Sequence, residues 1–226
     1  MTDNLSKRIF TSLVLLSVLF TCLFFSKYSW LILIIMTSVI SFLEFNNLVS
    51  KIWKKKEFLK YFINIICLFY LLFFIYSANE IYERGLIPII FILLICIFSD
   101  IGGYTVGKII GGKKLTKISP NKTISGTIGS FTFSLIPIII FLIIYELTKN
   151  NDFKIYSYVT LIISCLLLSF ICQSGDLFIS YFKRKAKVKD TGSVLPGHGG
   201  ILDRIDGIVF AVPGALIIDK IIILYS

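Results

Sequence analysis

The chain has 226 residues, 56% of them hydrophobic and 16% charged, with 23 Lys or Arg against 13 Asp or Glu for a formal charge of +10, and its mean hydropathy is +0.88. Water-soluble domains carry roughly 45–50% apolar and about 25% charged residues. That class is excluded, and an all-α, polytopic membrane protein is expected, because helices satisfy their own backbone groups in lipid.

A membrane helix needs about 20 mainly apolar residues, and seven candidate stretches are bounded by charge, the fourth short and the sixth long: 9–25, 28–45, 58–77, 85–99, 126–145, 155–182 and 205–225. Lys7 and Arg8 before the first stretch raise a signal peptide, but no small-residue cleavage site follows, so it is read as a retained span. The connector at Ser26 and Lys27 is short enough to make the first two spans an antiparallel hairpin. Residues 1–99 then form a block of N-terminal spans, and 100–226 a membrane region with two polar loops at 100–125 and 183–204. Cys22, Cys67, Cys96, Cys165 and Cys172 all fall in apolar runs without metal-like spacing and read as buried free thiols. Alternating seven spans sorts 18 of the 23 basic residues to one side, which puts that side and the N-terminus in the cytoplasm. A basic inner face also attracts anionic headgroups, and by itself names no function.

The unusual chemistry lies in the two loops and the helix ends beside them. The first runs from Asp100 through Gly102, Gly103, Gly107, Gly111 and Gly112 to Ser119-Pro-Asn-Lys-Thr123, then Gly126 and Gly129. Glycines let backbone N–H groups approach a phosphate, and Ser119, Lys122 and Thr123 add donors. A polyphosphate cradle and a flexible re-entrant connector are both open. It is not a Walker loop, since the glycine spacing is wrong.

The second begins at Asp176, six residues before the sixth run ends at Phe182, which places it about 9 Å below the helix end. An ionisable group at that depth is a functional-site hypothesis by default; an ion pair with a nearby lysine is the alternative. Ser180, four residues on, shares its face. After Phe182 come Lys183, Arg184, Lys189 and Asp190, then Pro196-Gly-His-Gly-Gly200 and Asp203-Arg-Ile-Asp206. Asp203 and Asp206 are three apart and share a helix face. Carboxylates at helix ends beside lysines suit Mg²⁺, which takes one or two of them and completes its shell with water and phosphate. Zn²⁺ does not fit, because His198 is the single histidine and no thiol is near. That imidazole reads equally as a loop strut or a proton-transfer group.

The 27 positions from Ser180 to Asp206 closely resemble the signature of the phosphatidate cytidylyltransferases, with Ser180, Lys183, Arg184, Lys189, Asp190, Gly192, Pro196, His198, Gly199, Gly200, Asp203, Arg204 and Asp206 in register. The Asp100 segment, the Ser119-Pro-Asn-Lys-Thr123 box and the Gly175-Asp176 pair recur in the family's order. Family members usually follow the box with Trp-Glu-Gly, where this chain has Ile124-Ser-Gly126. The chain is also short for the family, so fewer N-terminal spans are expected.

The resemblance implies transfer of a cytidylyl group from CTP to phosphatidic acid in phospholipid biosynthesis. It further implies Mg²⁺ held by Asp176 and Asp203 with Asp206 supporting. Lys183, Arg184, Lys189 and Arg204 would neutralise phosphates, and Asp100, Ser119, Lys122, Thr123, Ser180, Asp190, His198, Gly199 and Gly200 would help bind substrate. The lipid phosphate is itself the nucleophile, so a serine triad is not called for. The implied partners are CTP, phosphatidic acid and the lipids of the cell membrane, with no nucleic acid, the site on the cytoplasmic side and a homodimer left open. Rival readings are a CTP-dependent polyprenol or phytol kinase and a non-catalytic carrier with Asp176 on an ion path.

Overall fold

The computed structural model describes residues 2–116, 118–148 and 158–225. Its helices are α1 (Thr2–Phe25), α2 (Lys27–Ile52), α3 (Glu57–Glu83), α4 (Leu86–Ile110), α5 (Ile124–Phe133), α6 (Ile136–Thr148), α7 (Tyr158–Lys185), α8 (Leu202–Ile205) and α9 (Ile208–Tyr225). Among the described residues there is no strand, only two isolated bridges. The all-α membrane architecture expected from composition is what forms.

Among the described residues, five helical stretches are long and apolar enough to cross a membrane: α2, α3, α4, Ile124–Ile143 across α5 and α6, and α7. Seven were expected. The apolar part of α1, Ile9–Phe25, is shorter, and α9 carries Asp219 and Lys220 near its end. The fifth expected span breaks at Ser134 and Leu135, just ahead of Pro137, whose nitrogen cannot donate to a continuing helix. The linker between α6 and α7, with Lys149 and Lys154, lies outside the described residues, as does Lys117.

The hairpin at Ser26 forms as expected. Ser26 Oγ accepts from Ser29 N and Ser29 Oγ from Ser26 N, each at 3.1 Å, a reciprocal cap that starts α2 one residue after α1 ends. The helices then alternate, and ion pairs mark one end of the bundle. Lys27 at the start of α2 meets Glu83 at the end of α3 at 2.5 Å, and Arg84 meets Asp219 of α9. The opposite end gathers the C-termini of α2, α4 and α7 and the start of α9.

Between the ends, Trp30, Leu71, Phe74, Ile89, Ile95, Cys96, Cys165, Cys172, Val212 and Leu216 build one core. A second core of Phe45, Leu48, Val49, Ile179, Phe182 and Leu202 sits under the signature loop. Large apolar side chains such as Ile32, Phe58, Phe69, Ile97 and Phe170 stay exposed on the outer faces, as hydrocarbon solvent permits. All five cysteines are free, three of them fully buried.

One departure bears on the site. α4 continues eleven residues past Ser99 to Ile110, so residues 100–110 are helix and not loop. Its glycines face α5. A Cβ added at Gly103 would lie 2.6 Å from Ser130 Oγ, and one at Gly126 would lie 2.7 Å from the Gly103 carbonyl oxygen. Backbone approach between small residues is a favoured way for membrane helices to associate. Gly102, Gly103, Gly107, Gly126 and Gly129 therefore join two helices and do not form a phosphate cradle. The loop proper starts at Gly111 and Gly112, with φ of 64° and 102°, a backbone turn that L side chains resist.

Candidate active site

Residues 113–116 and 118–124 pair back on each other after that turn, with Leu115 N donating to Lys122 O at 2.9 Å and Ile124 N to Lys113 O at 3.0 Å, as the two arms of a short hairpin. Its tip is the Ser119-Pro-Asn-Lys122 segment, closed by Lys122 N to Ser119 O at 3.1 Å, with proline where a β-turn prefers it. Thr123 ends the hairpin by accepting from Gly126 N at 3.0 Å, which caps α5. Ser119 and Thr123 thus shape the loop.

Lys122 is aimed by this hairpin at α7, where it forms an ion pair with Asp176. The ion pair weighed for Asp176 from the sequence is therefore present. It is not sealed off, since both side chains keep 28% of their surface exposed. Ser180 Oγ donates to Asp176 Oδ1 at 3.3 Å, as their shared face required. Asp100 of α4 feels the charges of both Asp176 and Lys122, and Asp206 is close enough to Asp176 to interact directly. Asp176 thus stands among Lys122 of the hairpin, Asp100 of α4 and Asp206 of the α8–α9 junction. Gly175 permits this, because a Cβ there would lie 2.8 Å from Asp206 O. α7 extends nine residues beyond Asp176 to Lys185, one charged turn past the apolar run, so the depth of the carboxylate below Phe182 stays as the sequence implied.

Asp203 and Asp206 part company. Asp206 keeps helical backbone angles, so the two retain their helical spacing and both lie within reach of the Lys183 charge, but their hydrogen bonds differ. Asp203 Oδ1 accepts from Lys183 Nζ at 2.8 Å, while Oδ2 accepts from the N–H groups of Thr191 at 2.7 Å and Gly200 at 3.0 Å. Its side chain is 5% exposed. Burial works against the Asp203 charge, but Lys183 and the two N–H groups outweigh it and hold the carboxyl below its ordinary value. Asp203 thus fastens the loop, while Asp206 interacts with Asp176. Among the described residues no three His, Cys, Asp or Glu side chains form a ready metal cage. The all-oxygen donor set of Asp176 and Asp206, with Asp100 beside them, still fits a hard cation that needs only one or two protein carboxylates.

The remaining signature residues serve the loop or its rim. Arg184 Nε donates to Ile118 O at 3.2 Å, linking α7 to the hairpin arm 118–124. Arg204 donates to His198 O at 3.0 Å, across the turn closed by Leu195 N to Gly199 O at 2.8 Å. Gly199, at φ 84°, nestles where a Cβ would lie 2.9 Å from both Asp190 Cβ and Asp203 Oδ2. The His198 ring approaches Ser12 of α1, with Nε2 to Oγ at 3.3 Å, and Thr11 donates to Pro196 O at 2.9 Å. Of its two readings, the loop strut matches this geometry. Lys189 and Asp190 stand exposed on the loop.

Glu44 was not a candidate from sequence. It sits on α2, 4% exposed. It accepts from Thr191 Oγ1 at 2.8 Å, Leu202 N at 2.9 Å and Ile201 N at 3.1 Å. The signal was available: a carboxylate inside an apolar run, the same feature that singled out Asp176. An open cleft of about 560 Å³ lies between the end of α2, with Asn47, Ser50 and Lys51, the turn after it, with Lys54, and the Asp190–Ser193 segment.

Residues 51–222 match the model of the Cytidylyltransferase family. The chain belongs to this family. It is 38% identical over 216 residues to the phosphatidate cytidylyltransferase of Rickettsia typhi, an alignment covering 93% of this chain and 90% of that one. Identity is 43% over 132 residues to the phosphatidate cytidylyltransferase of Staphylococcus saprophyticus and 40% over 132 residues to that of Bacillus subtilis. Those matches take in 58% of this chain but only 48% and 46% of the two relatives. The family match takes in every carboxylate and lysine of the cluster together with the signature loop, and leaves out α1 and Glu44.

Proposed function

We infer that this cytidylyltransferase-family chain is a phosphatidate cytidylyltransferase. An oxygen of the phosphatidic acid phosphate attacks the α-phosphorus of CTP, the bond between that phosphorus and the bridging oxygen breaks, and CDP-diacylglycerol and pyrophosphate result. The observation that carries this reading is the Lys122–Asp176 ion pair, with Asp100 and Asp206 beside Asp176 and a lysine-rich loop next to it, at one end of an apolar bundle.

Two highly charged phosphates must be brought together, so positioning and charge neutralisation are the main demands. Lys122, held between Asp176 and the hairpin, and Lys183, held by Asp203, present cations at the cluster. Lys51 and Lys54 offer positive charge to a polyanion entering the open cleft from water. A bound Mg²⁺ would neutralise triphosphate charge, and Asp176 and Asp206 are the residues that would hold it. A lipid substrate is further supported by an apolar crevice of about 310 Å³ whose lining includes Cys67, Phe178, Phe182 and Phe210. Phe178 and Phe210 lie on the helices that flank Asp176 and Asp206.

The test is chromatography of lipid products from labelled CTP and phosphatidic acid with the purified protein. A CDP-lipid supports the reading. A phosphorylated isoprenoid alcohol, when the alcohol is supplied, points to the kinase, and no lipid product to a carrier. The native chain is expected to turn over CTP although Ser125 replaces the family's usual acidic residue. Here Ser125 Oγ donates to the Gly111 carbonyl and contacts Thr123 Oγ1 at 2.9 Å, a structural task. An inert native protein rescued by Ser125→Glu would contradict this.

The cluster belongs at the cytoplasmic face of the cell membrane, because the basic loops gather at that end. In a cysteine-free background, single cysteines at Lys55, Lys114 and Lys187 are expected to react only with reagents applied from the cytoplasm. Labelling of any of them by an impermeant reagent from outside would overturn this orientation.

A further inference from the structure

We propose that Glu44 is a positioning residue of this site: from α2 it fixes the signature loop, and through the loop the placement of Asp203 and Lys183. The proposal rests on the cytidylyltransferase reading for its kinetic consequence but not for its structural one.

A carboxylate removed from water is costly unless its lone pairs are satisfied. Glu44 spends its acceptor capacity on a single segment of chain. Oε2 takes Thr191 Oγ1–H at 2.8 Å and Leu202 N–H at 2.9 Å, and Oε1 takes Ile201 N–H at 3.1 Å. The loop is shaped around it. A Cβ at Gly192 would lie 2.5 Å from Glu44 Oε1, and one at Gly200 would collide with Glu44 Oε2. Neither glycine has a positive φ, so both are required for space and not for backbone conformation.

The same segment supplies the donors for Asp203. Thr191 gives its side chain to Glu44 and its N–H to Asp203, and Gly200 N, next to the Ile201 that Glu44 holds, also binds Asp203. Thr191 Oγ1 lies 2.9 Å from Asp203 Oδ2 as well. Its single proton serves one carboxylate at a time, and Asp203 Oδ2 already receives two N–H groups. A continuous path therefore runs from Glu44 through Thr191 and Gly200 to Asp203 and on to Lys183 Nζ. Glu44 touches neither Lys183 nor the Asp176 cluster in this path, so its effect is indirect.

Glu44→Gln tests this with little change in shape. The amide keeps one acceptor oxygen and turns an N–H₂ toward a donor that Glu44 now satisfies. Partners that orient ligating and catalytic groups typically matter on the order of 10–100-fold. We expect kcat to fall within that range, with a much smaller change in KM for CTP, since Lys122 and Arg184 are held from other elements. Glu44→Asp retains both oxygens and should recover more kcat than Gln. Hydrogen exchange, measured without substrate, should speed up at Thr191, Ile201 and Leu202 in the Gln variant while the α4–α5 and α9 amides keep their protection. Wild-type kcat in Glu44→Gln would overturn the proposal. So would an Asp variant no better than Gln, or accelerated exchange throughout the bundle, which would make Glu44 a general folding residue. Absence of CTP turnover by the wild-type protein would instead defeat the functional reading, while local exchange would still report on the tether.

Discussion

Asp176→Asn should lower CTP turnover by about 10²–10³-fold, the scale seen when a preorganised electrostatic group is removed from a reaction centre. The amide keeps the volume of the carboxylate and can still accept from Lys122, so the helix should insert and fold normally. What disappears is the charge around which Lys122, Asp100 and Asp206 are arranged. Asp206→Asn should behave alike, and the double variant should be little worse than either single one, as for residues that act as a unit. Turnover against Mg²⁺ concentration in detergent checks this. Near-normal activity in Asp176→Asn with an unchanged metal requirement would return Asp176 to a purely structural ion pair.

Lys183→Met should be damaging in a different way. Lys183 and Asp203 are 14% and 5% exposed, and removing one member of a buried pair leaves the other uncompensated, at a cost of about 3–5 kcal/mol. Turnover should fall together with thermal stability, whereas Asp176→Asn should lose turnover alone. Because the Asp203 carboxyl is held below its ordinary value, its stabilising contribution is complete above the usual carboxylate pKa near 3.9 and is lost as pH falls through the lower folded value. The Lys183→Met protein should therefore show a weaker loss of stability on acidification than the wild type. A variant as stable as wild type at pH 7, with the same acid profile, would remove this pair from the account.

Much of this was legible from residue order. Apolar run length and charge placement revealed a helical bundle with its basic loops at one end, and the depth of Asp176 marked the cluster before any geometry was known. The glycines between Gly102 and Gly129 misled, because close helix packing and phosphate cradling ask for the same residue, and only the partner helix distinguishes them. Asp203 and Asp206 looked alike by spacing; what distinguishes them is the loop, whose Thr191 and Gly200 N–H groups bind Asp203 while Asp206 accepts from Gly207. Glu44 carries the same mark as Asp176, a carboxylate inside an apolar run, but one residue from the end of that run it reads as a boundary. Its partners lie about 150 residues away in sequence, beyond the reach of any local pattern.

The most direct test of the central claim is to follow the labelled phosphorus. The protein is given phosphatidic acid with CTP carrying ³²P at either the α or the γ position, and the organic phase is counted. Cytidylyl transfer predicts that α-label enters the lipid while γ-label leaves as pyrophosphate. Entry of γ-label into lipid, or of neither, would contradict it.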